Sequence, residues 1–239
     1  MTEFLGQLEL NRVYHQDCIE GMKMLPEQSV DLIVTDPPYG INFYSNQRKK
    51  NKLKSAKGIL NDGHDNTAFL SMVIQEMDRV LKPDSHVYWF TRWDRIYLQY
   101  PLLNQYFKMK NALVWMKNGH SMGDTKGSYA SQYESILFGH KGRRYLNEYQ
   151  GRKRHTDILQ FDRVSPSKLL HSHEKPESLI KFLIAKSSIK GEIILDPFCG
   201  SGTTAATAKK LGRNFITFEL DKDSAEIANK RLSNIQEEN

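Results

Sequence analysis

Long apolar runs are missing from this 239-residue chain, and no stretch approaches the roughly 20 residues that a membrane-spanning helix requires. Cysteine is scarce. Cys18 and Cys199 are the only two, which excludes a disulfide framework or a thiolate metal site and fits small packing residues in a reducing compartment. The eight histidines contain no His-Glu-x-x-His and, outside His171-Ser172-His173, no His-x-His, so no metal is expected. Internal repeats and low-complexity linkers are also absent. The opening Met1-Thr2-Glu3-Phe4-Leu5-Gly6 lacks a cationic stretch followed by an apolar one, so the expectation is a chain without a secretory signal, in the cytoplasm. With 39% hydrophobic and 26% charged residues, the composition suits one domain spanning 1–239.

Acids are missing where cations crowd. Between Asn42 and Gly58 lie Arg48, Lys49, Lys50, Lys52, Lys54 and Lys57 with no Asp or Glu. Between His140 and His155 lie Lys141, Arg143, Arg144, Arg152, Lys153 and Arg154 against Glu148 alone. The whole chain is +6, so the remainder is net acidic. An acidic body with two basic segments points to a localised polyanion contact, against the plainer reading of two solvated loops.

Short β-rich runs alternate with helical patterns, which predicts an α/β fold with a mostly parallel sheet and helices on both faces. The expected strands are seven: 12–15, 30–35, 86–91, 112–117, 134–138, 192–195 and 214–218. Phe69, Met72, Val73, Glu76, Met77 and Val80 recur at helical spacing, predicting a helix over 66–81 that Lys82-Pro83 stops. Helices are also expected over 177–187, 203–211 and 223–232. Two regions break the rhythm, 41–65 and about 118–170 apart from the strand near Glu134, and long insertions of this kind are more often functional than scaffold.

Two motifs stand at predicted strand ends. Asp36-Pro37-Pro38-Tyr39 follows Val30–Thr35 and sets a carboxylate, a rigid turn and an aromatic ring together. An exocyclic amino group on a flat base needs such partners, acceptors for its N–H bonds and a surface to stack on. Far downstream, Asp196-Pro197-Phe198-Cys199-Gly200-Ser201-Gly202-Thr203-Thr204 reads as a strand end, a glycine turn and a helix start. The next strand ends in Glu219-Leu220-Asp221, where a carboxylate is placed to accept ribose hydroxyls. No Gly-x-Gly-x-x-Gly occurs at the turn, which argues against a nicotinamide dehydrogenase.

Over about 12–118 and 130–234 the chain resembles the amino-methylating DNA methyltransferases, which use S-adenosylmethionine to methylate adenine N6 or cytosine N4. Asp36 to Tyr39 matches the catalytic tetrapeptide, Asp196 to Thr203 the cofactor loop, Glu219 to Asp221 the ribose acid, and His173-Glu174-Lys175-Pro176 the segment preceding the cofactor half. Tetrapeptide before cofactor loop is the circularly permuted order of the beta group, and the resemblance implies a permuted Rossmann-like fold. It also implies a cofactor pocket of Asp17, Cys18, Lys175, Asp196, Phe198, Cys199, Gly200, Ser201, Gly202, Thr203, Glu219 and Asp221. In it Asp17 accepts from the adenine amine, and Lys175, Ser201 and Thr203 lie near the methionine end, although Ser and Thr after a glycine turn also serve as helix caps.

The resemblance further implies direct transfer without a covalent enzyme intermediate. Asp36 and the Pro37 carbonyl accept the amine N–H bonds, while Tyr39 stacks on a base extruded from double-stranded DNA, with Phe43 or Tyr44 as lesser stacking candidates. Residues 41–65 become a catalytic-side loop and about 118–170 a target-recognition insertion. Arg48, Lys49, Lys50, Arg143, Arg144, Arg152, Lys153 and Arg154 are then the expected DNA contacts. Asp rather than Ser at position 36 favours adenine over cytosine. Methylation of RNA or of a protein amide, and a catalytically inactive DNA-binding module, stay open as alternatives. By analogy with the group a homodimer is expected.

Overall fold

The computed structural model describes residues 3–40, 63, 66–120, 126–147, 155–165 and 174–235. A small hairpin, β1 (Phe4–Leu5) and β2 (Leu8–Glu9), precedes the main sheet. That sheet contains β3 (Arg12–His15), β4 (Val30–Thr35), β5 (Leu81–Thr91), β6 (Lys108–Met116), β7 (Tyr133–Lys141), β8 (Ile158–Gln160), β9 (Ile193–Asp196) and β10 (Asn214–Glu219). The helices are α1 (Cys18–Lys23), α2 (Thr67–Val80), α3 (Ile96–Leu103), α4 (Glu177–Ser187), α5 (Thr203–Lys210) and α6 (Lys222–Ser233).

Among the described residues the strand order is β3-β10-β9-β4-β5-β7-β6-β8, eight strands where seven are expected from sequence. The extra strand is β8, three residues with only Leu159 buried, too short to carry a periodic signal and held by pairing with the end of β6. β3, β10, β9, β4 and β5 run parallel, and β7 is antiparallel to both β5 and β6. All six residues of β4 are buried, because a central strand covered on both faces reads as a continuous run rather than an alternation.

Alternate residues of the strands feed two cores. Leu32, Val34, Tyr88 and Phe90 pack on the side of α4, α5 and α6. Ile33, Val87 and Trp89 pack on the side of α1, α2 and α3. From β4 the chain crosses through α2 to β5, and from β9 it crosses through α5 to β10, in opposite directions along the sheet. The neighbouring carboxyl ends of β4 and β9 therefore form the topological switch point, where open α/β sheets bind their ligands. That end of the parallel strands is called the carboxyl pole below.

Candidate active site at the carboxyl pole

β4 ends at Asp36-Pro37-Pro38 because consecutive prolines lack the N–H donors a ladder requires, and each holds the residue before it extended. β9 ends in a second Asp-Pro. The two turns are joined across the switch point, where the Thr35 hydroxyl donates to Asp196 Oδ1 at 2.9 Å. Asn66, the residue before α2, donates to the Pro38 carbonyl at 2.8 Å and holds the turn from the other side.

Asp36 sits at the end of an alternating chain of charges. Its Oδ1 accepts from the Tyr39 hydroxyl and its Oδ2 from Lys175 Nζ, each at 2.5 Å. Lys175 also lies 3.1 Å from Glu134 Oε2, and Glu134 Oε1 accepts from Lys117 Nζ at 2.6 Å. Burial opposes ionisation of Glu134, yet the ammonium groups of Lys175 and Lys117 outweigh it and hold the carboxyl at about 2. Burial likewise works against the Lys175 ammonium, and Asp36 and Glu134 overcome it and raise its pKa. Burial, reinforced by the Asp36 charge, keeps the Tyr39 phenol protonated well above its ordinary range. Glu134, Lys117 and Asn66 carry no motif. The one local sign is an acid opening a strand whose next residues, Ser135 to His140, are all buried.

On the β9 side, Asp196 is fully buried among Thr35, Thr204 and the Phe198 N–H, and burial pushes its carboxyl up to about 6. The chain then turns through Gly200 and Gly202, both left-handed at φ 53° and 80°. Gly202 also packs so closely on α6 that a Cβ there would stand 2.8 Å from Ala228 Cβ, whereas a Cβ on Gly200 would meet nothing within 4 Å among the described residues. Open space beside Gly200 and close packing behind Gly202 fit a turn that admits a ligand on one side and a helix on the other. Glu219, at the end of β10, accepts from the Gly200 N–H and the Asp221 N–H, both at 2.8 Å, through different oxygens.

β3 pairs beside β10 with His15 opposite Glu219, so Asp17 emerges next to Glu219 although the two are at opposite ends of the sequence. Asp17 Oδ1 caps α1, and Asp221 Oδ1 caps α6. Phe198 meets Phe69 of α2 edge-on at 6.0 Å. Ser201 and Thr203 are buried at the start of α5, where the Thr203 hydroxyl accepts from Arg231 at 3.2 Å. Burial pushes Cys18 up to about 12 and raises Cys199 well above the ordinary thiol range, so both remain thiols. The acids and open turn match a polar, ribose-bearing cofactor with an aromatic base; the donor set suits that group rather than a metal.

The expected residues Asp17, Asp36 to Tyr39, Lys175, Asp196 to Thr203, Glu219 and Asp221 thus all converge on the carboxyl pole. Arg143 and Arg144 do not. β7 runs antiparallel to β5, with Ser135 opposite Thr91 and Lys141 opposite Ser85, so its far end lies six residues down the strand, about 20 Å away at the opposite pole. Arg144 is further committed to Glu192 at 2.8 Å, and its carbonyl lies 3.1 Å from His86 Nε2. The expected recognition stretch is therefore divided: residues on either side of 121–125, and those after β8, adjoin the carboxyl pole, while those joining β7 to β8 begin at the other. Phe43, Tyr44, Arg48, Lys49, Lys50, Arg152, Lys153 and Arg154 lie outside the described residues.

With this geometry in view, comparison with known proteins defines the class. A DNA methylase family covering N6 and N4 enzymes matches residues 30–230. The type II methyltransferase M.HinfI of Haemophilus influenzae is 31% identical over 95% of this chain and 69% of its own length. M.BglII, a type II methyltransferase of Bacillus subtilis, is 28% identical over 96% and 71%. Among solved structures, the M1.HpyAVI complex with S-adenosylmethionine superimposes with a TM-score of 0.72 at 25% identity, covering 94% of this chain and 99% of that one. The cytosine-N4-specific PvuII methyltransferase, at 19% identity, shares the fold with a TM-score of 0.73, over 95% and 88%. The chain belongs to the N6-adenine/N4-cytosine DNA methylase family, whose members take the methyl group from S-adenosylmethionine.

Proposed function

We propose that this DNA methyltransferase modifies the exocyclic N6 of adenine in a short site of double-stranded DNA, after the base has left the helix. The observation that carries the reading is Asp36-Pro37-Pro38-Tyr39 on β4, joined through Thr35 and Asp196 to the glycine turn on β9. S-adenosylmethionine, when bound, supplies an electrophilic methyl on sulfonium sulfur. Glu219 has lone pairs left for ribose hydroxyls beyond the two backbone N–H groups it already serves, and Asp17 accepts from the adenine amine of the cofactor.

The target nitrogen is a poor nucleophile because its lone pair is shared with the ring. Asp36 accepts one of its N–H bonds and the Pro37 carbonyl the other, which drives the nitrogen toward tetrahedral geometry and stabilises the positive charge it develops. Tyr39 stacks on the flipped base. Its hydroxyl now occupies Asp36 Oδ1, so base entry is a one-for-one exchange in which an amine N–H replaces the phenol O–H. Asp at position 36, rather than Ser, is what favours adenine. Residues 41–65 and the carboxyl-pole portions of 118–170 are assigned to DNA contact.

The test is transfer of labelled methyl to unmethylated genomic DNA, followed by nucleoside digestion and mass analysis. Label in N6-methyladenine is expected. Label confined to N4-methylcytosine would refute the base assignment and keep the mechanism. No label in DNA, with label in RNA or protein offered in parallel reactions, would refute DNA as substrate.

A further inference from the structure

The Asp36 carboxylate is gripped from a direction its tetrapeptide does not provide. Lys175 stands one residue before Pro176, the N-cap of α4, and proline both fixes that junction and keeps the residue before it extended. The ammonium launched from this rigid junction is buried over the Phe90 ring, 5.2 Å from its centroid, between Asp36 and Glu134. Glu134 is held in turn by Lys117, which lies 4.8 Å over the Trp115 ring. Four separate segments thus meet in one charge-alternating row: the ends of β4 and β6, the start of β7 and the lead into α4.

We propose that Lys175, anchored by Glu134, is a positioning residue for methyl transfer, clamping Oδ2 of Asp36 so that Oδ1 faces the target amine. The proposal rests on Asp36 being the amine acceptor. It gives Lys175 a role in the catalytic half in place of the cofactor contact that the family resemblance implies. A buried ion row is weak evidence for stability, since apolar side chains of similar size often do as well. What the row supplies here is orientation. An aspartate can rotate about χ2, and a nitrogen whose lone pair must point at a methyl group tolerates little rotation of its acceptor. Among the described residues, the other titratable or charged groups around Asp36 are Tyr39 as a neutral phenol, Asp196 across the switch point and Arg92 beyond Tyr39, itself paired with Asp94 at 3.0 Å. None of these bridges Asp36 to Glu134 as Lys175 does.

Single-turnover methyl transfer between pH 5 and 9, with cofactor affinity by calorimetry, tests the clamp in the full-length protein. In Lys175→Gln two carboxylates face each other without the cation between them, and one takes up a proton at higher pH. The expected result is a rate about 10- to 100-fold lower at pH 7.5, an acid limb moved up by about one pH unit, and a cofactor Kd within about threefold of wild type. Lys175→Arg, which restores the bridging charge, is expected to return the acid limb to its place. An unmoved acid limb with cofactor affinity lost would overturn the clamp and return Lys175 to the cofactor. Should Lys175→Gln not fold, Glu134→Gln is read the same way: a slower rate at unchanged cofactor affinity is expected, and a wild-type rate overturns the proposal. Asp36→Ala separates the two levels, because it removes the acceptor oxygens altogether. Full activity there refutes Asp36 as acceptor, whereas an inactive Asp36→Ala beside a Lys175→Gln with wild-type rates refutes only the clamp.

Discussion

Asp196→Asn is expected to stabilise the cofactor-free protein at neutral pH and to leave it unchanged in acid. The carboxyl is buried where β9 meets the glycine turn, and burial raises its pKa from 3.8 to about 6. A raised carboxyl binds its proton more tightly in the folded state. Below pH 3.8 both states are protonated and nothing is lost; as pH rises through about 6 the folded state must carry a buried charge that the unfolded state carries in water. A shift of about two units corresponds to about 3 kcal/mol. Asparagine keeps the Oδ1 acceptor used by Thr35 and Phe198, and the Thr204 hydroxyl, a hydrogen-bond partner of the side chain, can turn to accept from the new amide.

Urea denaturation of both proteins from pH 4 to 8 reads the effect as a difference, in which every other titrating group cancels. The wild type is expected to lose about 3 kcal/mol relative to Asp196→Asn between about pH 4 and pH 7. A difference constant to within about 0.5 kcal/mol would refute the assignment of a strained, ionised Asp196. The same strain has a functional reading, because a cationic ligand beside the turn relieves it. Wild-type affinity for S-adenosylmethionine should therefore rise over that pH interval, and that of the variant should stay flat.

Three further substitutions probe separate parts of the site. Tyr39→Phe removes the hydroxyl that occupies Asp36 and keeps the ring, so single-turnover rates should hold within a few fold, whereas Tyr39→Ala should lose about 1–3 kcal/mol of stacking; equal losses in the two would show that the hydroxyl takes part in the chemistry. Gly202→Ala forces a side chain into a left-handed residue and against Ala228, and should cost about 1–3 kcal/mol in urea denaturation. A cost below about 0.5 kcal/mol would mean the turn relaxes freely. Glu219→Ala should weaken cofactor binding at least about tenfold by calorimetry, since a charged acceptor contributes about 1.5–3 kcal/mol; unchanged affinity would remove Glu219 from the pocket.

The helix over 177–187 appears at the residues expected, and the other three predicted helices differ only at their ends. Apolar periodicity and proline stops are local signals, and these elements obey them. Asp36 and Glu219 were legible because each follows a strand whose end the sequence marks, and strand ends are where parallel sheets present their ligands. The antiparallel β7 is buried continuously over Ser135 to His140, as the parallel β4 is along its length, so its direction leaves no mark in its own residues. The reversal of β7 carries Arg143 and Arg144 to the pole opposite Asp36, which reading the basic stretch by composition could not reveal. β8 exists only because the edge of β6 offers it partners. The contact between Lys175 and Asp36 spans 139 positions of sequence, and that of Lys175 with Glu134 depends on the same strand order. Local chemistry determined which residues stand ready at the strand ends, and the order and direction of the strands decided which of them touch.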